Sequence, residues 1–312
     1  MISRAAADVS SLPERRRRPS LTKAFSFAFS GFALLTLASL VLLFLVQSLP
    51  VFAHEGWHYV TGAKWFYRAN QFGALPMVYG TCVVAILALV MAAPIGLGAA
   101  IFTAEFLPAR PRLFIKIAIE LLAGVPSVVY GLLGVLLLRN WIYHLFARFD
   151  PLSGDTLLTA AVILAVMILP TIMTLSDDAL RSVPAAQRSA ARGLGLTATE
   201  AVLAVSLPQA GRGLLAALLL GLGRALGETI AVFLVVGRQD NHLPANLFSP
   251  RAWLEAGQTL STKLGGSETN IAYGTSLHWA AIVGLALLLM VIVLAVTIPG
   301  AWQRNVKYAP EL

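Results

Sequence analysis

The chain has 312 residues, 58% of them hydrophobic and 12% charged, with a net charge of +8. Soluble domains carry about 25% charged residues, so the composition excludes an ordinary soluble globular protein and points to a membrane protein. The positive charge lies in loops and is not interleaved with aromatics on a polar face, which argues against nucleic-acid binding; the single cysteine, Cys82, excludes an internal disulfide.

A helix needs about 20 mostly apolar residues to cross the hydrocarbon core. Residues 1–23 form a basic tail containing the cluster Arg15 to Arg18, followed by an apolar run at 24–49. A cleaved signal peptide has an apolar region of about 7–15 residues, so this longer run reads as a retained anchor. Next comes His54-Glu-Gly-Trp-His58, which matches the zinc-protease pattern H-E-x-x-H. That chemistry needs both histidines on one helical face, a third ligand and an open coordination position. Gly56 weakens a helix inside the motif and no third-ligand pattern follows, so a solvated outer loop with no metal is the expectation.

The second run is 77–102 and the third 113–138. The third contains Glu120-Leu-Leu-Ala-Gly-Val-Pro-Ser-Val-Val-Tyr-Gly131. Gly124 and Pro126 interrupt the helix there, because proline removes an internal hydrogen bond. A break at membrane depth is tolerated where it lines a cavity, and a half-helix N-terminus favours an anion. Ser127 and Tyr130 add hydroxyls to it; a packing kink is the alternative.

After the fourth run, 156–175, the segment 178–211 spends 34 residues on a connection for which about 2–8 suffice. Pro184 suits a first helical turn, and residues 185–194 are strong helix formers. Gly193 and Gly195 can end that helix in a left-handed cap. Thr197 and Glu200 form a capping-box pattern that starts a second helix, and Pro208 is expected to stop it. The segment reads as two short helices meeting at a glycine elbow.

The fifth run, 213–236, includes Gly221-Leu-Gly-Arg-Ala-Leu-Gly-Glu-Thr229. As a continuous helix it would place Arg224 and Glu228 on one face. Each would cost about 2.5–3.5 kcal/mol at the bilayer centre, and such residues face an interior or a water-filled path. Arg224 offers a planar fork to an oxyanion, with Glu228 partly neutralising it; a structural ion pair is the alternative. Arg224, Glu228, Thr229, Ser127 and Tyr130 are the candidate substrate-path residues. The sixth run is 276–302 and leaves a tail, 303–312. Fifteen Lys and Arg lie on the side of the N-terminal tail and seven on the other, which places both termini and 178–211 in the cytoplasm. The outer loops fall at roughly 50–76, 139–155 and 237–275, where Trp57, Trp65, Trp141, Trp253 and Trp279 read as an interfacial belt.

Segment 178–211 resembles the coupling loop of ATP-binding-cassette (ABC) importer permeases. That family pattern is Glu-Ala-Ala, three residues, Gly, nine residues, Ile, any residue, Leu-Pro. Ala190, Ala191, Gly195, Leu207 and Pro208 keep its spacing, with Val205 for the Ile and Ser189 for the Glu. The resemblance implies that Ser189, Ala190, Ala191, Gly195, Leu207 and Pro208 couple this chain to a separate ATPase subunit. No Gly-Lys dipeptide occurs here, so a phosphate-cradling loop is absent and ATP-Mg is expected on the partner, with no cofactor on this chain. Residues 124–131 and 224–229 are similar to motifs of the phosphate-specific ABC importer permeases, and 71–81 to their PstC branch. The resemblance covers about residues 50–300.

The resemblance implies an all-α, six-span permease domain at 24–302 with MetI-like architecture, in a bacterial cytoplasmic (inner) membrane. It is expected to be a transport subunit and not an enzyme, importing inorganic phosphate by alternating access. The implied partners are a PstA-like second permease, a PstB-like ATPase dimer and a PstS-like phosphate-binding protein. In that family an intramembrane Arg and Glu linked to phosphate passage map onto Arg224 and Glu228. Two alternatives stay open: the same architecture for phosphonate, sulfate or molybdate, and a proton-coupled secondary transporter.

Overall fold

Backbone in lipid must satisfy its own polar groups, which is why apolar runs of this length become helices. The computed structural model describes residues 21–247 and 249–305; expectations for the rest of both tails, including the Arg15 to Arg18 cluster, lie outside the described residues. Six helices among the described residues are long and apolar enough to cross a membrane: Phe25–Glu55, Leu75–Phe106, Ser127–Leu145, Leu157–Arg181, Ala198–Gly227 and Ser276–Trp302.

The first helix, α1 (Leu21–Glu55), forms a compact unit of its own as far as Val46. The second unit, from Gln47 onward, holds the rest. It continues with α2 (His58–Thr61) and a small antiparallel hairpin, β1 (Trp65–Phe66) and β2 (Gln71–Phe72), in which Trp65 faces Phe72. Then α3 (Leu75–Ile101) runs into a π turn at Phe102–Phe106. The third run gives α4 (Ala109–Ala123), α5 (Ser127–Leu133), a π turn at Gly134–Leu138 and α6 (Arg139–Leu145). After α7 (Leu157–Arg181) come α8 (Ala185–Gly193), α9 (Ala198–Ala201) and a π turn at Val202–Ser206. The chain ends with α10 (Leu207–Gly227), α11 (Ile230–Val235), α12 (Leu260–Leu264), α13 (Glu268–Ala272) and α14 (Ser276–Asn305).

The core is centred on α7, which packs against α3 and α10, while α10 also packs on α14. Ala88, Ala92, Leu164, Ile168 and Ile172 are fully or almost fully buried in it. Small residues set the spacing, as they do between helices in lipid. A Cβ on Gly96 of α3 would lie 2.9 Å from Ile172 Cγ2, and one on Gly221 of α10 would lie 2.6 Å from Ile172 Cγ1. Ile172 is thus a wedge seated in two glycine notches. Thr156 starts α7 by accepting the Thr159 N–H at 3.1 Å.

Four expectations change. The third run breaks completely at Gly124–Pro126, so the apolar crossing helix is Ser127–Leu145, and α4 before it has no buried residue. Pro208 does not stop α9; the chain passes through the π turn at Val202–Ser206 and continues as α10. The wider turn shifts the hydrogen-bond register just where proline lacks its donor. The fifth run is not one helix either: α10 ends at Gly227, and Glu228 is extended (φ −73°, ψ 129°). Among the tryptophans, Trp57 and Trp141 are exposed as a belt requires, but Trp65 is 3% exposed and belongs to a core with Tyr59 and Phe72.

Candidate functional site

The glycine elbow forms as the residue pattern dictates. The helix α8 starts after Pro184, whose φ of −58° and missing donor suit that position. It ends in a Schellman arrangement: Gly195 N–H reaches Arg192 O at 3.0 Å, and Leu196 N–H reaches Ala191 O at 3.3 Å. Gly195 takes φ +90°, whereas Gly193 stays helical. The next helix opens with a complete capping box, in which Thr197 N–H donates to Glu200 Oε2 at 2.8 Å and Glu200 N–H to Thr197 Oγ1 at 3.3 Å. Ser189, Ala190, Gly195 and Pro208 are exposed, Leu207 is half-buried, and Ala191 is buried against the fold. The elbow therefore presents Ser189, Ala190 and the glycine turn outward.

Charged contacts join α4 to the end of α7 and α8 to the first π turn beside this device, and sequence patterns did not reveal them. Arg112 Nη2 meets both oxygens of Asp177 at 2.7 Å, and Thr103 Oγ1 donates to the same carboxylate at 3.2 Å. Lys116 stands 3.7 Å from Asp178. Arg188 of α8 stands 3.4 Å from Glu105 of the first π turn. Each pair joins residues far apart in the chain, beyond the reach of helical spacing rules.

The candidate path lies where two broken helices meet. The short helices α5 and α11 pack on each other, so that a Cβ on Gly131 would lie 2.7 Å from Leu234 Cδ1 and 3.0 Å from Ala231 Cα. Both begin directly after a break, at Pro126 and at Thr229. Tyr130 spans the first break by donating its hydroxyl to Leu122 O at 2.9 Å; Ser127 is half-buried at the start of α5. At the second break, Arg224 is exposed and donates Nη1 to Thr171 Oγ1 at 2.7 Å.

No ion pair joins Arg224 to Glu228 among the described residues, because the helix that would align them ends between them. The freed Glu228 carbonyl accepts Ser261 Oγ at 2.9 Å, and Glu228 itself and Thr229 are half-buried. No hydrogen bond joins Ser127 or Tyr130 to Arg224 among the described residues.

Ser261 belongs to a third feature that spacing did not reveal, a segment of the 237–275 connection folded back onto the break. Leu260 to Lys263 are all buried, and Leu260 N–H donates to Thr81 Oγ1 at 2.9 Å. Lys263 is 2% exposed. Its Nζ lies 2.9 Å from Asp240 and 2.5 Å from Glu268, with the Trp65 ring centroid at 5.3 Å. Glu268 also accepts Trp65 Nε1 at 2.6 Å and lies 2.9 Å from His278 Nε2. Burial pushes the Glu268 carboxyl up, but the bonds from Lys263 and Trp65, the Lys263 charge and the His278 contact together hold it below its ordinary value. A Thr259–Thr262 capping box starts the segment, the one local signal for it in the sequence.

The H-E-x-x-H match is split by Gly56 at φ +57°, with His54 on α1 and His58 on α2. Glu55 accepts the Phe72 N–H at 3.0 Å and so stitches the hairpin to the end of α1.

Residues 93–305 match the family described as "Binding-protein-dependent transport system inner membrane component". The chain is 36% identical over 252 residues, 75% of its length and 73% of the relative's, to "Phosphate transport system permease protein PstC 1" of Mycobacterium bovis. It is 34% identical over 296 residues, 89% and 90% of the two lengths, to "Phosphate transport system permease protein PstC" of Haemophilus influenzae. Its fold is similar to a chain of a bacterial ABC transporter involved in import of the acidic polysaccharide alginate. That likeness has a TM-score of 0.56 at 14% identity and covers 92% of this chain and 99% of that one. With the family match, the relatives and the six-helix fold in agreement, the chain belongs to the inner membrane components of binding-protein-dependent transport systems, all-α ABC importer permeases of MetI-like architecture that work with an ATPase and a substrate-binding protein.

Proposed function

We propose that this chain is the PstC-type permease subunit of an importer of inorganic phosphate, moving the anion by alternating access. The observation that carries the reading is Arg224. It is a guanidinium within a membrane-spanning helix, at the edge of a helix break, with the neutral Thr171 hydroxyl as its hydrogen-bond partner at 2.7 Å and no carboxylate paired to it among the described residues. An unneutralised cation at membrane depth is held for a passing anion or a relay, and a planar fork of donors suits a tetrahedral oxyanion. Glu228, which is extended, and Thr229 link α10 to α11, and Ser127 and Tyr130 lie on the facing half-helix. Phosphate as the cargo is supported by the names of the relatives and by the 224–229 and 124–131 motifs.

In this reading a PstS-like protein delivers phosphate to the outer loops, a PstA-like subunit completes the path, and a PstB-like dimer hydrolyses ATP-Mg against the elbow at Ser189 to Gly195. Both termini are then cytoplasmic. Phosphate uptake by the assembled transporter tests it. Replacing Arg224 with Gln removes one charge-assisted contact of about 1.5–3 kcal/mol, so uptake falls by about tenfold or more while assembly with the ATPase is kept. Normal uptake by Arg224→Gln overturns the anion role. Uptake undiminished by excess phosphate but competed by sulfate, molybdate or a phosphonate overturns the choice of cargo.

A further inference from the structure

The π turn that ends the second span carries two charged contacts of opposite quality. On one side, Arg112 Nη2 bonds both oxygens of the Asp177 carboxylate at 2.7 Å, with Thr103 Oγ1 3.2 Å from the same group. On the other, Glu105 is 5% exposed, and its cation, Arg188 of α8, stands 3.4 Å away and is 21% exposed. Arg188 gives the same nitrogen to Leu180 O at 2.5 Å. Two buried atoms, Glu105 Oε1 and Arg188 Nε, make no hydrogen bond among the described residues. The fold thus places a closed clamp and an incompletely satisfied latch on one five-residue turn, Phe102–Phe106.

A buried ion pair contributes little net stability, because desolvation opposes the attraction. One with orphaned atoms contributes less still, since each unpaired buried polar atom is costly. Such a pair is poorly suited to holding a fold and well suited to specifying which of two positions an element occupies. Its location fits that role. Arg188 is the one residue of α8 in an ion pair among the described residues, and it points inward, while the neighbouring Ser189 is exposed. From Glu105 the second span runs back to Gly96, which seats Ile172, and the residue before Ile172, Thr171, holds Arg224. A shift of α8 therefore has a packed route to the candidate anion path. π turns recur at functional sites.

We infer that Arg188 and Glu105 are positioning residues of the transport cycle, a latch that carries movement of the elbow into the second span. The inference rests on the ATP-coupled reading above. Neither residue touches the cargo or the nucleotide, so the signature is a change in coupling and not in affinity. The test uses the transporter assembled with its second permease, ATPase and binding protein in liposomes, measuring phosphate uptake and ATP hydrolysis together. Glu105→Gln, close to isosteric, and Arg188→Gln are each expected to lower phosphate imported per ATP about tenfold, a typical coupling effect. The phosphate concentration for half-maximal uptake should stay unchanged. The exchanged pair, Glu105→Arg with Arg188→Glu, should recover part of the ratio in a double-mutant cycle.

The latch is overturned if assembled Glu105→Gln keeps the wild-type ratio. It is also overturned if uptake and hydrolysis fall in equal proportion, which marks a structural role. Failure of the wild-type complex to show ATP-driven phosphate uptake overturns the underlying functional reading instead, so the two failures are separate.

Discussion

Gly195 sits at φ +90° in the elbow, and a Cβ built there would meet no atom within 4 Å. Substitution therefore carries no packing penalty, and the cost is that of the backbone conformation alone. A left-handed residue with a Cβ costs about 1–2 kcal/mol, and more when the side chain is β-branched. The chain can escape by opening the cap, giving up two hydrogen bonds worth about 0.5–1.5 kcal/mol each. The cheaper of the two routes sets the loss at about 1–2 kcal/mol, a change of about 5–30-fold in the local opening equilibrium. Hydrogen exchange at the amides of residues 195 and 196, which bond to Arg192 O and Ala191 O, should quicken by that factor in Gly195→Ala, and by more in Gly195→Val.

Gly193→Ala is the control, because Gly193 is also in open space but keeps a helical φ. There alanine should slow exchange slightly, since it favours a helix by about 1 kcal/mol over glycine. In the assembled transporter Gly195→Val should hydrolyse ATP with little phosphate moved, and Gly193→Ala should behave as wild type. Equal effects of the two alanine substitutions on exchange would refute the backbone argument, and normal coupling in Gly195→Val would refute the elbow's role.

Removing Lys263 strands the largely buried Glu268 carboxylate, so Lys263→Met should destabilise the fold by about 3–5 kcal/mol, as breaking a buried pair does; thermal unfolding in detergent measures it, and a loss below about 1 kcal/mol would mean the cluster is solvated. Because the folded Glu268 carboxyl is held below its ordinary value, its stabilisation is fully present above the ordinary carboxylate range and is lost as pH falls through the folded value. Melting temperature should therefore drop on the acid side in wild type and less so in Glu268→Gln; identical pH profiles would remove this contribution. Finally, His58→Ala should leave transport intact, whereas Glu55→Ala should cost about 1–3 kcal/mol by orphaning the Phe72 amide; loss of transport with His58 alone would restore a chemical role for the motif.

The sequence pattern made the helices legible wherever structure is local. The elbow, its capping box and the break at Gly124–Pro126 follow from glycine, proline and Thr197–Glu200 spacing, and all are present. The break at Glu228 leaves no local signal, because Gly227-Glu-Thr has helical spacing around it and the partner of the freed carbonyl lies elsewhere in the chain. Ser261, 33 residues away, accepts the role of capping partner by donating to the Glu228 carbonyl. The burial of Trp65 has no local trace for the same reason, since the Asn241 and Glu268 groups that anchor its backbone and indole are 176 and 203 residues distant. Pairs such as Arg112–Asp177 and Arg188–Glu105 are tertiary events with no periodic trace. Pro208 lies within a continuing helix because the π turn before it has already shifted the hydrogen-bond register, and Pro94 and Pro170 also lie inside helices.

The two helix breaks have a consequence for engineering. Each interrupts a hydrogen-bonded column that an uninterrupted helix would complete, at Gly124–Pro126 and at Glu228–Thr229. Mending either would add backbone bonds and apolar continuity, the kind of change that stability selection favours. The same change would weld the paired half-helices α5 and α11 to the lower parts of their spans and erase the ledge on which Arg224 stands. A screen of this chain for heat resistance alone would thus enrich rigid, well-behaved proteins that carry nothing across the membrane, and such a screen needs a turnover readout beside the melting curve.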